Sequence, residues 1–305
     1  MNSYSADYVI LLTACINPNG AVYTTLQNEK VREEHYVNAI NFYLDKTNYN
    51  IVFCNNSGED ISSKFTKYKG RIEFLSFYGN DYDKRLGKGY GECLIMKYAF
   101  QHSEFIKKSN YIIKITGRLV IRNISTIFNV LKFNDILLFY PKYLENKIIA
   151  ITNTNSKWID SRCFIATKCF YEIFLSAKNI NMIADMRGYY LEHLLYDVII
   201  QLNKNSFIFS KFCLPLEISG ISGTTGESYT DNYEQKSPFS NYRILASIVD
   251  FSKVIFHDLV YLRDFCMLIK PQYKNDTFRY VWISVISFTI RVDKIILMKF
   301  INKKS

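Results

Sequence analysis

The chain has no Cys-x-x-Cys pair, and its seven cysteines, at 15, 54, 93, 163, 169, 213 and 266, are scattered and odd in number. That usage argues against a disulfide framework and reads as reduced core thiols facing a cytosolic compartment. Its four histidines, His35, His102, His193 and His257, show no ligand spacing with one another or with cysteine, so no metal cluster is visible. The opening Met-Asn-Ser-Tyr-Ser-Ala-Asp has neither a basic n-region nor an apolar run, which predicts a chain that is not secreted. Long apolar runs are missing too: residues 280–290 come nearest, but Arg279, Arg291, Asp293, Lys294 and Lys299 flank or follow a stretch too short to span a bilayer. Acidic residues are in deficit, 28 Asp and Glu against 38 Lys and Arg, for a net charge of +10. This balance favours acidic partners: nucleic acid, an anionic membrane surface or phosphorylated substrates. The basic residues are spread along the chain without a nucleic-acid module signature, and no nucleic-acid partner is expected. Neither an internal repeat nor a low-complexity tract appears.

What is present is a globular composition. Of the 305 residues, 49% are hydrophobic and 16% aromatic, ample for a full core. Short apolar runs at residues 8–13, 51–54, 71–77 and 111–115 read as strands, and residues 29–44, 60–68 and 91–103 as helices between them. Strands alternating with helices imply crossovers and a largely parallel sheet. Beyond residue 118 the alternation loosens, with a helix predicted at 124–131, strands at 135–140, 148–152 and 163–167, and helices at 167–177 and 189–203. Residues 214–242, rich in Gly, Ser, Thr and Asn, read as a long loop or lid. The predicted domains are therefore 1–242 and a helical region 243–305. With Trp282, Lys303 and Lys304, the latter reads as a helix lying in an anionic interface, or as a final amphipathic helix packed on the domain.

The motif with most chemistry is Asn110-Tyr-Ile-Ile-Lys-Ile-Thr-Gly-Arg118, an apolar strand that runs into fixed cations and a turn. Lys114 inside that strand needs an anionic partner, from protein or ligand, because an unpaired buried charge is costly. At its carboxyl edge Thr116, Gly117 and Arg118 can meet a phosphate. Upstream, Leu86-Gly-Lys-Gly-Tyr-Gly-Glu92 opens a helical pattern, and Lys88 and Gly89 suit a turn approaching phosphate, or a plain helix entry. It matches neither the dinucleotide fingerprint nor a P-loop. Asp160-Ser-Arg162 reads as the rim of an acceptor pocket or an ordinary turn with a local ion pair. In Asp185-Met-Arg-Gly188 and the following Tyr189–Tyr196 stretch, a Glu near a helix start suits the removal of a proton from an acceptor hydroxyl. Glu192 is the expected general base, with Asp185 second and His193 a neighbouring acceptor contact.

The order of these elements, from the Val9–Pro18 strand through Arg32, the Val52–Gly58 strand end and Tyr111–Arg118, resembles the bacterial cell-surface polysaccharide glycosyltransferases of GT-A type. The resemblance covers residues 7–230 and implies a GT-A-like, Rossmann-like α/β fold with a mixed, largely parallel sheet flanked by helices. It implies a nucleotide-sugar donor bound by Thr13, Ala14, Asn17, Asn55 and Asn56 together with Lys88, Gly89, Thr116 and Gly117. Lys114 and Arg118 then stabilise the leaving phosphate, and Glu92, Asp160, Arg162 and His193 contact the acceptor. The implied acceptor is a growing capsule, O-antigen or lipooligosaccharide glycan on a lipid carrier at the cytoplasmic face of the inner membrane, whose anionic surface is a further partner. Where such enzymes carry a metal-binding Asp-x-Asp this chain reads Lys114-Ile-Thr-Gly-Arg118, so no cofactor is expected to be required; a divalent metal at Asp81-Tyr-Asp83 is the alternative. The rival readings are a basic nucleic-acid-binding protein and a non-catalytic assembly partner with the same fold.

Overall fold

The computed structural model describes residues 8–20, 24–125, 147–153, 158–203, 208–211 and 216–229. The predicted 242/243 boundary, the region 243–305, the strand at 135–140 and the helix beyond Ser125 lie outside these residues.

A seven-stranded sheet organises the fold, built from β1 (Tyr8–Ala14), β2 (Asn50–Asn55), β3 (Ile72–Ser76), β4 (Tyr111–Thr116), β6 (Lys147–Asn153), β7 (Trp158–Thr167) and β8 (Ile208–Lys211). The order is β3-β2-β1-β4-β7-β6-β8, and β7 alone runs against the others. A small ribbon pairs β5 (Val120–Ile121) with β9 (Ile218–Ser219). This is the mixed, largely parallel α/β sheet flanked by helices that the alternation predicts. Its central strands are buried on both faces, as β1 is along all seven residues, which is why they read as unbroken apolar runs.

Two cores lie on opposite faces of the sheet. On one, α1 (Glu29–Lys46) buries Tyr36, Ala39, Ile40, Tyr43 and Leu44 against Ile10, Leu12, Phe53 and Ile113. The i, i+3, i+4 spacing gives the helix its single apolar stripe, and Asn28 fixes its start by accepting from the Val31 amide at 3.1 Å. The other face holds α2 (Lys88–His102), α3 (Glu104–Lys108), α4 (Lys168–Phe174), α5 (Ala177–Ile180) and α6 (Leu191–Asn203). They bury Met96, Phe164, Phe170, Leu194 and Leu195 around Val9, Leu11 and Ile112.

Several elements differ from the sequence reading. Strand β7 begins at Trp158 rather than 163, the helix read at 167–177 is the separate α4 and α5, and β5, β8 and β9 are unexpected strands. Two further differences have a local cause. The segment 60–68 is a 3₁₀ helix, Ser62–Tyr68, not an α-helix, because Asp60 accepts from the Ser62 amide at 2.8 Å and Phe65 breaks the helical backbone with φ −124°. Helix α2 begins at Lys88, ahead of the expected residue 91. A Cβ at Gly89 would lie 2.8 Å from that of Leu191, so glycine here lets the starts of α2 and α6 pack closely.

Candidate active-site cleft

The strand order reverses direction between β1 and β4, and in open α/β sheets such a switch point opens a crevice at the carboxyl ends of the strands. A cleft of about 680 Å³ lies here, lined from β1 by Thr13 and Ala14, from the end of β4 by Thr116 and Arg118, and from α2 by Lys88, Gly89 and Glu92. Opposite them stand Asp160, Ser161 and Arg162 of β7, Asp185, and Glu192 in the first turn of α6. An irregularity in the β6–β7 ladder aims the β7 side chains: Ala150 pairs with Phe164 but Thr152 with Ile159, so extra β7 residues bulge out at 160–163. Bulges of this kind re-aim side chains beside functional sites.

One side of the cleft is cationic. Arg118 is half-buried, donates to the Ile221 carbonyl, and has no carboxylate partner among the described residues. Burial pushes its guanidinium below the usual value, with Arg32 nearby adding to the effect. Lys88 donates to Thr224 Oγ1, and burial likewise lowers its ammonium, opposed by the charge of Asp185. Arg32 is buried and braces the loop after β1, giving Nε and Nη2 to the Cys15 carbonyl at 2.8 and 2.6 Å and Nη1 to the Leu26 carbonyl at 3.0 Å. Between these cations and the strand end, burial pushes the Cys15 thiol up to about 11.

The other side is acidic. Glu192 Oε1 accepts from Ser161 Oγ at 2.6 Å, and Glu92 Oε1 from Thr13 Oγ1 at 2.8 Å. Asp160 is buried and holds Arg162 through both oxygens, Nε–Oδ1 at 2.9 Å and Nη2–Oδ2 at 2.5 Å, with the guanidinium 4.9 Å above the Tyr229 ring. Burial alone would lower Arg162, but the Asp160 hydrogen bonds outweigh it and raise the group overall. Asp185 Oδ2 accepts from the Lys88 amide at 3.0 Å, and burial raises its carboxyl despite that bond.

The structure re-sorts several expected roles. Lys114 is fully buried and does not line the cleft; its ammonium pairs with Glu92 Oε1 at 2.5 Å, and the cleft-lining cations of that side are Arg118, Lys88 and Arg32. The 87–91 turn does not hold its first amide open for phosphate, because the Asp185 carboxylate caps it from within. Gly87, at φ 87° and ψ −178°, is required there: a Cβ would lie 1.9 Å from Asp185 Cγ. We expect Gly87→Ala to cost about 1–3 kcal/mol, the strain of a glycine-only backbone region, read as a lowered melting temperature.

Asn55 is buried as a brace, its Oδ1 accepting from the Ile16 amide at 3.1 Å and its Nδ2 donating to the Glu59 carbonyl at 2.9 Å, so its side chain is not open to a donor. Asn17 is not among the lining residues; its carbonyl accepts from Asn80 Nδ2 at 2.8 Å. Gly117 sits behind the strand edge, its amide on the Thr13 carbonyl at 2.8 Å. Asn56 does line the cleft, and its buried Oδ1 has no hydrogen-bond partner among the described residues. His193 faces Tyr190, whose amide donates to Nδ1 at 3.2 Å, and is not a lining residue. Asp81 and Asp83 are likewise outside the lining, and Asp83 caps residues 84–86 while pairing with Arg85 at 2.6 Å. The strand end where the resemblance places a metal carries Thr116, Gly117 and a guanidinium, a donor set that does not fit a divalent cation.

No family model and no curated protein matches the chain. It is similar in structure to a glycosyltransferase involved in the glycosylation of the major capsid of PBCV-1, at 9% identity over 68% of this chain and 82% of that one, with a TM-score of 0.39. Two others are the inositol-1-phosphate CTP transferase from T. maritima, at 12% over 70% and 86% with TM-score 0.38, and a galactosyltransferase solved with donor and acceptor sugar analogues, at 10% over 68% and 74% with TM-score 0.37. Likenesses this weak decide nothing about activity.

Sequence reasoning missed Ser161 as a link to Glu192; it read Ile218–Gly226 as small residues and hydroxyls suited to closing over a diphosphate, without what anchors the segment. Thr25 anchors that segment, its amide on the Gly223 carbonyl at 2.9 Å and its hydroxyl on that of Thr224 at 2.6 Å. The Ser-Gly-Ile-Ser-Gly-Thr-Thr-Gly composition marked a loop but carried no sign of its partners. Among the described residues no helix is long and apolar enough to cross a membrane.

Proposed function

We propose that this protein transfers a sugar from a nucleotide-activated donor to an acceptor hydroxyl without a metal. The reading rests on one observation: a single cleft at the switch point opposes a guanidinium lacking a carboxylate partner, Arg118, to a carboxylate at a helix start, Glu192. The donor's phosphates lie against Arg118 and Lys88, and its base reaches the unsatisfied Asn56 oxygen, which takes an N–H from the base edge. Glu192 removes the proton from the acceptor hydroxyl as its oxygen attacks the anomeric carbon. The bond from that carbon to the leaving phosphate oxygen breaks with its electron pair, and the cations neutralise the charge that develops. Thr13, Ala14, Thr116 and Gly89 shape the donor side, and Glu92, Asp160 and Arg162 the acceptor side. A lipid-linked surface glycan as acceptor, at the inner face of the cytoplasmic membrane, is what the resemblance implies, and the basic charge and the carboxyl-terminal pattern fit that location.

Thermal shift against UDP, GDP and CMP tests the reading, because a ligand that binds only the folded state raises its melting temperature. One nucleotide is expected to stabilise the protein equally in EDTA and in Mn²⁺, and Arg118→Ala to weaken that binding roughly 10- to 100-fold, the worth of a charge-assisted hydrogen bond. Stabilisation that needs Mn²⁺ would remove the metal-free mechanism. No response to any nucleotide, with salt-sensitive binding to RNA or DNA, would replace the reading with a nucleic-acid one.

A further inference from the structure

We infer that Lys114 and Ser161 are positioning residues, which join Glu92 and Glu192 through one buried polar bridge and so fix the cleft's two carboxylates relative to each other. The inference rests on the transferase reading above and gives these two residues a role it does not assign.

The bridge can be followed atom by atom. Lys114 Nζ has three protons and three partners: Glu92 Oε1 at 2.5 Å, the Ser161 carbonyl at 2.5 Å and Thr116 Oγ1 at 3.3 Å. An ammonium so placed, with no exposed surface, has no donor left for a phosphate. Ser161 is buried as well and works in two directions, its carbonyl accepting from Lys114 and its hydroxyl donating to Glu192 Oε1 at 2.6 Å. Both carboxylates are therefore held by one oxygen. Thr13 and Lys114 converge on Oε1 of Glu92, Ser161 takes Oε1 of Glu192, and among the described residues neither Oε2 takes a hydrogen bond. Two acceptor oxygens are thus left to the cleft by side chains whose rotation is locked from behind, the arrangement a precise catalytic geometry demands.

The elements joined are also telling. Lys114 stands on β4, Ser161 in the β7 bulge, Glu92 on α2 and Glu192 on α6, four segments that this bridge ties together. A buried ion pair is poor evidence for stability, since apolar residues of equal volume usually serve as well. Position is what the pair supplies.

The test uses the full chain, with nucleotide release from UDP-, GDP- and CMP-sugars measured in the presence of simple sugar acceptors, and nucleotide Kd measured by calorimetry on the same samples. Ser161→Ala is expected to lower kcat about 10- to 100-fold, as a small misplacement of a reacting group does. Its nucleotide Kd should stay within about twofold of wild type, a split between rate and binding that a general loss of structure would not give. Ser161→Thr, which keeps the hydroxyl, should restore most of the rate. Should Ser161→Ala fail to fold, Lys114→Met combined with Glu92→Gln removes both charges together and is expected to give the same split, kcat lowered and nucleotide Kd kept. Wild-type kcat in Ser161→Ala, or a loss of nucleotide affinity equal to the loss of rate, overturns the positioning role alone. A wild-type protein that releases nucleotide from none of the three donor classes overturns the transferase reading, and this inference with it.

Discussion

Glu192→Gln is expected to slow sugar transfer by about 10²- to 10⁴-fold, the range that a positioned general base contributes. The substitution is nearly isosteric, and the amide oxygen still accepts from Ser161 Oγ, so the start of α6 and the donor side stay in place. Nucleotide affinity and melting temperature should therefore remain close to wild type while kcat falls. Asp185 is the rival. Burial raises its carboxyl, which would suit a base near neutrality, but Oδ2 already caps α2 through the Lys88 amide and the side chain is buried. Replacing it by Ala should therefore remove the cap, disturb the α2 start and lower stability, a different signature from a clean loss of kcat, whereas Asp185→Asn keeps an oxygen for the Lys88 amide. If Asp185→Asn abolishes turnover in a protein of unchanged melting temperature, and Glu192→Gln turns over normally, the two roles are reversed.

The parallel half of the fold was legible because its signals are local. β1, β2 and β4 are buried on both faces, and such strands appear as short apolar runs ended by turn residues. The stripe of α1 repeats at helical spacing for the same reason. Much of the cleft followed from one anomaly, a lysine inside an apolar strand, since a charge placed there must be answered nearby. What answers it was not legible. Glu92 lies on α2 and Ser161 on a bulge, and a bulge is set by the pairing of β6 with β7, not by any residue pattern within β7. The glycines at 87, 89 and 91 left a phosphate-approaching turn and a plain helix entry both open for a physical reason. A turn open to phosphate and a helix start closed by Asp185 need the same flexible backbone, and only the fold brings residue 185 to residue 88.

That same lysine sets the largest stability effect expected here. Glu92→Ala strands a fully buried ammonium, leaving it the Ser161 carbonyl and a 3.3 Å contact to Thr116 but no counter-charge. Breaking a buried pair in this way costs about 3–5 kcal/mol, which for a domain of this size lowers the melting temperature by roughly 6–20 °C. The lower end of that range is favoured because the Glu92 side chain keeps 20% of its surface exposed, so the wild-type pair is partly screened from the cleft side. Truncating the other partner is milder: Lys114→Met leaves a carboxylate that can turn to water in the cleft. The double variant Lys114→Met with Glu92→Ala removes both charges and should recover most of the stability lost in Glu92→Ala, since no uncompensated charge remains inside. Chemical denaturation of the four proteins gives the coupling energy directly. A Glu92→Ala protein within about 1 kcal/mol of wild type, with no recovery in the double variant, would mean that the Ser161 carbonyl and Thr116 suffice to hold Lys114, and that the ion pair does not fix the cleft.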